Sequence, residues 1–449
     1  ILARLLHPEL FGFIAIILVI ISVSNSLIDS GFSQALIQKR DCSEADFSTI
    51  FYFNIIVSII FVILLYYIAP FISSFFQEPK LIIPIRIISI VLIIDSLSMV
   101  QRTILIKEIN FKLQTKISII ADVVSGVIAI YMAMNNWGIW SLIARYMIAR
   151  LLYTIFIWVW SKWKPSLVFS LSSFKALFSY GSKLLISGLI GTIFENIYVF
   201  VIGKFFSVTQ LAFYNQANRF RKLPSQTLMG SIQRVTFPLL VQLNHDKDKL
   251  KDFYTKILKI VTYISSILML GLGSIAEPLI LTVLGEKWSQ TIDYLQLLVI
   301  IGMLYPLHSL NLNMLNVLGH SDKFLQLEII KRILSIPVII IGIWFGIKIL
   351  IIGMIANSLI CFFLNSYWSG KNIGYSSWNQ IIDIIPYILL SGSMSIIIYI
   401  FGVYSNFAPF VDLLLRTSIG FIYILVLSEV FKFQEYIRLK NIVLQKIKS

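Results

Sequence analysis

Long apolar stretches, each close to the length of a membrane-crossing helix, follow one another down the chain with only short polar breaks between them. A hydrocarbon core about 30 Å thick takes roughly 20 apolar residues per helix. Stretches of that kind fall at 10–28, 47–76, 81–101, 115–134, 138–160, 176–203, 210–240, 256–284, 290–318, 324–346, 349–368, 381–402 and 408–431. None has the period-two alternation of an outer-membrane strand, so the pattern predicts an all-α polytopic membrane protein with 13 spans. Ile1-Leu2-Ala3-Arg4-Leu5-Leu6 reads as the tail of a helix that starts upstream, which sets the expectation of 14 spans with the first one missing here.

The polar breaks are unequal, and their charge gives an orientation. Every second one is basic: Lys39 and Arg40; Arg102, Lys107, Lys112 and Lys116; Lys162, Lys164 and Lys175; Lys247, Lys249, Lys251 and Lys256; Lys323; Lys371; and a tail with Lys432, Arg438, Lys440, Lys446 and Lys448. The gaps between them hold only Arg4, Lys80, Lys204, Lys287 and Lys348. Basic loops stay on the cytoplasmic side, so the first set and the C-terminus are expected there. Hydrophobic residues make up 58% of the chain and charged ones 13%, with a mean hydropathy of +0.86, well outside the soluble range. The net charge of +15 is mostly this loop bias. It is spread through short juxtamembrane loops and not gathered on one soluble face, which argues for membrane lipid and against nucleic acid as the partner.

Sliding the chain on itself by about 200 residues produces an ordered series of weak matches. Leu2-Ala3-Arg4-Leu5-Leu6 with Phe11-Gly12-Phe13 falls over Ile202-Gly203-Lys204-Phe205-Phe206 with Leu211-Ala212-Phe213. Ala69-Pro70-Phe71-Ile72 falls over Ala276-Glu277-Pro278-Leu279-Ile280, and Trp137-Gly138-Ile139 over Phe345-Gly346-Ile347. The order implies two homologous six-helix lobes, at 1–160 and 174–368, an extra helix pair at 381–431 and a basic tail at 432–449. An even number of spans per repeat keeps both lobes in one orientation, an arrangement in which transporters place substrate between the halves.

Enzyme signals are poor. Cys42 and Cys361 are too few and too distant for a metal cluster, and His7, His245, His308 and His320 lack ligand spacing, so no metal and no cofactor are expected. Gly271-Leu272-Gly273-Ser274-Ile275-Ala276 fits the dinucleotide pattern but lies inside an apolar stretch with no strand before it, and reads as helix packing. No gap is long enough to house a catalytic domain.

The informative residues are the ionisable ones inside the spans, since a charge near the bilayer centre costs roughly 3 kcal/mol or more unless it is paired or faces water. Arg145, Arg150, Arg219, Arg221 and Lys222 are candidate cavity cations for a phosphate-bearing substrate, because the planar guanidinium fork matches phosphate oxygens. Asp95, Asp122 and Glu195 are candidates for a coupling proton or sodium ion, with helix-to-helix hydrogen bonding as the alternative. Arg86 and Lys183 suit snorkelling or the cavity equally, and Glu328 with Lys331 or Arg332 suits a structural ion pair. His308, Asn311, Asn313 and Asn316 form a polar stripe in 290–318, and Pro224, Pro238, Pro306 and Pro337 allow bends in helices that rock.

Leu211-Ala212-Phe213-Tyr214-Asn215-Gln216-Ala217, followed by Pro224 and Thr236-Phe237-Pro238, resembles a signature of the polysaccharide transporter family. Similar matches are Ala3 to Gly12, Asp29 to Gln38, Ala276-Glu277-Pro278, Gly285-Glu286-Lys287-Trp288, and Asn311-Leu312-Asn313 through Gly319-His320-Ser321-Asp322. The resemblance covers essentially the whole chain. It points to Wzx-like lipopolysaccharide and O-antigen flippases, teichuronic-acid exporter-like members included, within the multidrug/oligosaccharidyl-lipid/polysaccharide (MOP) exporter superfamily. Ala212 in place of the usual Gly, His320 where Arg is common and Tyr198 at an often acidic position depart from the pattern. The resemblance implies MATE-like paired six-helix lobes in the bacterial inner membrane. It also implies translocation of an undecaprenyl-diphosphate-linked oligosaccharide, the repeat unit of an O-antigen, capsule or exopolysaccharide, with a polysaccharide polymerase or assembly protein as partner. The alternatives are a cation-coupled multidrug exporter of the MATE-like branch, which would want an acidic cavity, and a non-catalytic membrane partner of a glycan polymerase.

Overall fold

A computed structural model describes residues 1–448, including all their side chains except those of Lys183, Ser187, Ile442, Val443, Leu444, Lys446, Ile447 and Lys448. The expectations for Lys183, Lys446 and Lys448 therefore lie outside the described side chains. The chain forms two compact units, Ile1–Ala212 and Phe213–Ser449. The helices of the first are α1 (Leu2–Leu5), α2 (Pro8–Asp29), α3 (Phe32–Gln38), α4 (Glu44–Phe76), α5 (Ile82–Ile88), α6 (Val91–Lys107), α7 (Phe111–Met134), α8 (Ile139–Trp160), α9 (Leu171–Glu195) and α10 (Ile197–Phe205). Next, α11 (Val208–Leu243) crosses the division. It is followed by α12 (Lys247–Ser274), α13 (Ala276–Val283), α14 (Gln290–Val317), α15 (Ser321–Phe345), α16 (Ile347–Ile373), α17 (Ser377–Tyr404), α18 (Pro409–Val430) and α19 (Gln434–Lys448).

Ten helical segments among the described residues are long and apolar enough to cross a membrane, and the bent pair Leu171–Ser182 and Leu184–Glu195 would make an eleventh. The two other predicted spans, 210–240 and 324–346, are continuous helices of sufficient length, α11 and α15, whose charges set them apart from the rest. Backbone groups in hydrocarbon have no water to bond, so helix is the state these stretches must take.

The weak sequence repeat is realised as a repeat of packing. In the first unit α4, a 3-10 turn at Pro79–Leu81, α5, α6, α7 and α8 follow one another, and in the second α12, α13, a 3-10 turn at Glu286–Trp288, α14, α15 and α16. Helix α4 packs on α6, α6 on α8 and α7 on α8; likewise α12 packs on α14, α14 on α16 and α15 on α16. Gly138 at φ 54° opens α8 and Gly346 at φ 99° opens α16, the two positions that the repeat superposes. Both sit in backbone that an L side chain resists.

The first compact unit extends further than the lobe drawn from the repeat, because α9 packs on α2, α3 and α4. Gly31, at φ 73°, lies so close to α9 that a β-carbon would stand 2.4 Å from the Gly181 carbonyl oxygen, and Phe32, Ile50 and Leu177 share one core. The glycine motif in α12 is indeed helix packing: a β-carbon on Gly273 would meet Val299 of α14 at 2.9 Å.

Alternate gaps converge within each unit. Arg40, Lys107 and Lys162, from three basic gaps, line one pocket of the first unit. At α12, Lys251 and Lys256 share a pocket with Lys432 and Arg438. The intervening gaps meet elsewhere, where Lys80 Nζ lies 3.3 Å from Glu9 Oε1 and Lys348 Nζ 2.6 Å from Asp293 Oδ2.

Candidate functional sites inside the two units

Polar side chains of α2, α6 and α8 meet inside the first unit. Asn25 Nδ2 donates to Asp95 Oδ2 at 3.0 Å, and Arg150 Nε stands 3.7 Å from Asp95 Oδ1. The Arg150 guanidinium lies 5.2 Å from the Tyr146 ring centroid, within cation–π reach. One turn along α2, Asp29 Oδ1 accepts from the Ser33 amide at 3.2 Å and the Ser33 hydroxyl at 2.5 Å, closing the bend into α3. The Thr103 hydroxyl of α6 in turn donates to Ser33 Oγ at 3.2 Å. A cavity of about 300 Å³ adjoins the pair, lined among others by Arg102, Gln114, Asp122, Tyr146, Arg150 and Tyr153. Asp122, exposed, lines this cavity itself, whereas the partly buried Asp95 adjoins it only through Arg150.

The second unit has its own polar interior. His308 Nε2 is 2.9 Å from the Ser358 hydroxyl and its Nδ1 is 3.1 Å from Asn365 Nδ2, which ties α14 to α16. Asn311 Oδ1 accepts from the Tyr254 hydroxyl at 3.0 Å and from the Ser369 hydroxyl, while Asn311 Nδ2 donates to Leu307 O at 3.0 Å. These two residues join α12, α14 and α16, but the predicted stripe does not extend to Asn313, which is half-buried, or to Asn316, which is exposed. The reason is angular, since about 100° per residue puts Asn313 roughly 160° and Asn316 roughly 140° around the helix from Asn311.

The predicted cations divide between the units. Arg145 and Arg150, both half-buried, lie on α8. Arg219 is exposed on α11, whereas Arg221, two residues on, turns inward. Its stem rests on Gly302 of α14, where a β-carbon would stand 2.9 Å from Arg221 Cγ. Arg221 Nε is buried with no hydrogen-bond partner among the described residues, as is Asn218 Oδ1 one turn before it. Lys222 is half-buried. Glu195 is exposed at the end of α9.

The expected pair in α15 is present: Glu328 binds Lys331, and Arg332 lies 3.9 Å from its second oxygen. Arg86 stacks at 4.3 Å over the Tyr66 ring and donates to the Tyr66 carbonyl at 3.1 Å. Two networks were not anticipated. Arg416, buried in α18, stands 2.6 Å from Asp412 and 3.4 Å from Glu277 of α13. Lys259 of α12 stands 2.8 Å from Asp383 of α17, whose other oxygen accepts from the Tyr375 hydroxyl at 2.6 Å. Burial, reinforced by that acceptor, holds the Tyr375 phenol well above its ordinary pKa. The i,i+4 spacing of Asp412 and Arg416 was a readable signal, whereas nothing local marks Lys259 and Asp383 as partners. Among the described residues no group of three or more His, Cys, Asp or Glu could hold a metal ion.

Paired helical repeats with ionisable groups in their interiors define a transporter-type membrane fold, and solved structures agree. The lipid II flippase MurJ in an inward closed conformation superposes with a TM-score of 0.79 at 17% identity, over 97% of this chain and 96% of that one. An inward-facing multidrug resistance MATE family transporter of the MOP superfamily superposes at 0.65 and 17% identity, over 83% of this chain and 92% of that one. The fold is therefore the MOP transporter fold. Residues 1–293 match the family described as "Polysaccharide biosynthesis protein", and the chain belongs to that family. Teichuronic acid biosynthesis protein TuaB of Bacillus subtilis (strain 168) is 30% identical over 303 residues, covering 66% of this chain and 62% of that protein. Succinoglycan biosynthesis transport protein ExoT of Rhizobium meliloti (strain 1021) is 27% identical over 314 residues, covering 68% and 62%. The matched region thus spans just under two thirds of the length of these relatives.

Proposed function

We propose that the chain is a flippase that moves an undecaprenyl-diphosphate-linked oligosaccharide across the bacterial cytoplasmic membrane by alternating access, with its C-terminus cytoplasmic. The observation that carries the proposal is Arg221, a guanidinium packed inside a transmembrane unit with its Nε lacking an acceptor among the described residues. A buried cation without an anion is costly unless a ligand brings one. Membership of a polysaccharide biosynthesis family makes a lipid diphosphate the anion of fitting chemistry. Arg145 in the first unit and Arg219 and Lys222 in the second supply further positive charge for the phosphates, and Arg150 serves through its pair with Asp95.

In the same reading Asp95 and Asp122 exchange a proton or sodium ion through the cavity beside Arg150. Protonating Asp95 would release Arg150 and loosen the link between α6 and α8, a local change able to bias a two-state equilibrium. Glu195 is a second candidate for that ion. No bond is made or broken, so the protein acts as a carrier and not as an enzyme, and a polysaccharide polymerase or assembly protein would take up its product.

Reconstitution in liposomes with a lipid-diphosphate glycan tests the proposal, by reading how fast the glycan becomes accessible on the far leaflet. The wild-type chain should accelerate appearance, and combined Arg145→Gln, Arg219→Gln and Arg221→Gln substitution should slow it at least tenfold. Undiminished transport by that triple variant would sink the assignment of the cations.

A further inference from the structure

A charged recess of the second unit plays no part in the transport reading. It has a volume of about 830 Å³ and lies where α12 and α17 begin and α18 gives way to α19. Its acidic groups are largely spoken for: Asp383 has one oxygen on Lys259 and the other on Tyr375, and Glu435 is only 4% exposed. Against them stand Lys251, Lys256, Lys432 and Arg438, all lining the recess and none in an ion pair among the described residues. Asp252 is the one other acid in the lining. Four cations with no ion pair among the described residues converge on one space and make it attractive to an anion, and the size is typical of ligand sites, roughly 300–1,000 Å³.

The rest of the lining identifies what carries that anion. Ile382 and Phe431, at the rim, are 53% and 66% exposed, a poor arrangement for holding a soluble ion. From Ile382 an exposed apolar stripe continues down α17 through Ile385, Leu389 and Ile396, at helical spacing. A cationic recess at the head of a lipid-facing apolar stripe has the polarity of an amphiphile, with phosphate at one end and acyl chains along the other. The third wall is α19, held by Tyr436 and Leu439 against the core around Tyr263 and Tyr387 and by Lys440 Nζ, 2.8 Å from Glu429.

We propose that this recess is a binding site for the phosphate-bearing headgroup of an anionic glycerophospholipid, whose chains lie along α17 and which fastens α19 to α12 and α17. A resident membrane lipid is distinct from the transported molecule, so the site stands or falls independently of the flippase reading.

The test uses the purified full chain in detergent, supplied with phosphatidylglycerol or with phosphatidylcholine of matched chains, with bound lipid counted by native mass spectrometry. Phosphatidylglycerol should be retained in preference. Lys256→Gln and Arg438→Gln should each lower its occupancy about fivefold, the loss expected for one basic contact to an anionic lipid, whereas Lys247→Gln, outside the recess, should not. Ile382→Ser should weaken retention of the lipid as well, through loss of its apolar seat. Equal retention of the two lipids, or unchanged occupancy in both recess variants, would overturn the proposal. So would displacement of phosphatidylglycerol by millimolar inorganic phosphate, which would mark a soluble anion site. Transport is not the readout, so an inactive flippase would leave these outcomes intact.

Discussion

Asp95 and Arg150 are separated by 55 residues and meet across α6 and α8, and the consequence for each is different. Removing Arg150 leaves a partly buried carboxylate short of its counter-charge, whereas Asp95→Asn removes the charge and keeps an amide that Asn25 can still bond. Breaking a fully buried pair costs about 3–5 kcal/mol; with Arg150 39% exposed, water screening cuts this to about 1–2 kcal/mol. Arg150→Ala should therefore lower the denaturation midpoint more than Asp95→Asn, and the double variant should fall by less than their sum in a thermal or detergent-denaturation cycle. Strict additivity would show the two side chains to be uncoupled. At Arg416, nearly enclosed with Asp412, the fuller penalty of about 3–5 kcal/mol is expected for Arg416→Ala, with recovery in an apolar Asp412→Leu/Arg416→Met pair. At this scale the sequence disclosed which residues matter better than whom they touch. Asp95, Arg150 and Arg221 stood out because charge is scarce in apolar helices, but a partner 55 residues away has no local signature. The polar stripe in α14 was overdrawn for a related reason. Counting polar residues ignores that Asn311 and Asn316 differ by 500° of rotation about the helix.

Helix ends were the least legible features of the elements, since apolar stretches fade gradually into interface. The start of α4 is an exception that the sequence could have announced. Ser43 and Asp46 form a capping box, with the Asp46 amide 3.2 Å from Ser43 Oγ and the Ser43 amide 2.8 Å from Asp46 Oδ2, and Lys39 reaches the same oxygen at 2.5 Å. Ser43→Ala should cost about 1 kcal/mol, seen as faster amide exchange confined to the first turn of α4. Gly31 is a stricter constraint. Its positive φ and the nearby Gly181 carbonyl leave no room for a methyl group, so Gly31→Ala must shift α9 away from α2 and α3. A loss of folded protein on detergent extraction is the expected result, and unaltered melting would contradict the packing. The motif residues that carried the family resemblance turn out to be largely of this structural kind: Phe213 meets the buried Trp288 edge-on at 5.8 Å, and Asp29 ties down Ser33.

Across the whole molecule, the two-beat rhythm of basic and neutral gaps was readable because it is a compositional signal repeated many times, and the structure groups those gaps as the rhythm requires. The repeat was fainter, three short matches, yet the same helix order and the same packing partners recur in both units. The orientation proposed for the tail is open to direct measurement. With the native Cys42 and Cys361 replaced by serine, Lys440→Cys should react with a membrane-impermeant maleimide in inverted vesicles and stay protected in intact cells. Labelling in intact cells would reverse the topology. The matched units also explain why residue counting placed the lobe boundary earlier than compactness does: α9 follows the first set of five repeated helices in sequence but rests on α2, α3 and α4 in space.

The helix pair that follows the repeat is no appendage, because Arg416 ties it to the repeat itself. Its guanidinium reaches from α18 to Glu277 on α13, while Ser266 and Ser274 of α12 bond to Tyr387 and Ser395 of α17. A chain cut after Ile373 would strip the cover from Tyr263 and take Arg416 away from Glu277. Evolutionary loss of the pair would then require α12 and α13 to be rewritten in the same step, so a descendant without it should have exchanged Tyr263 and Glu277 for residues that need no partner on α17 or α18.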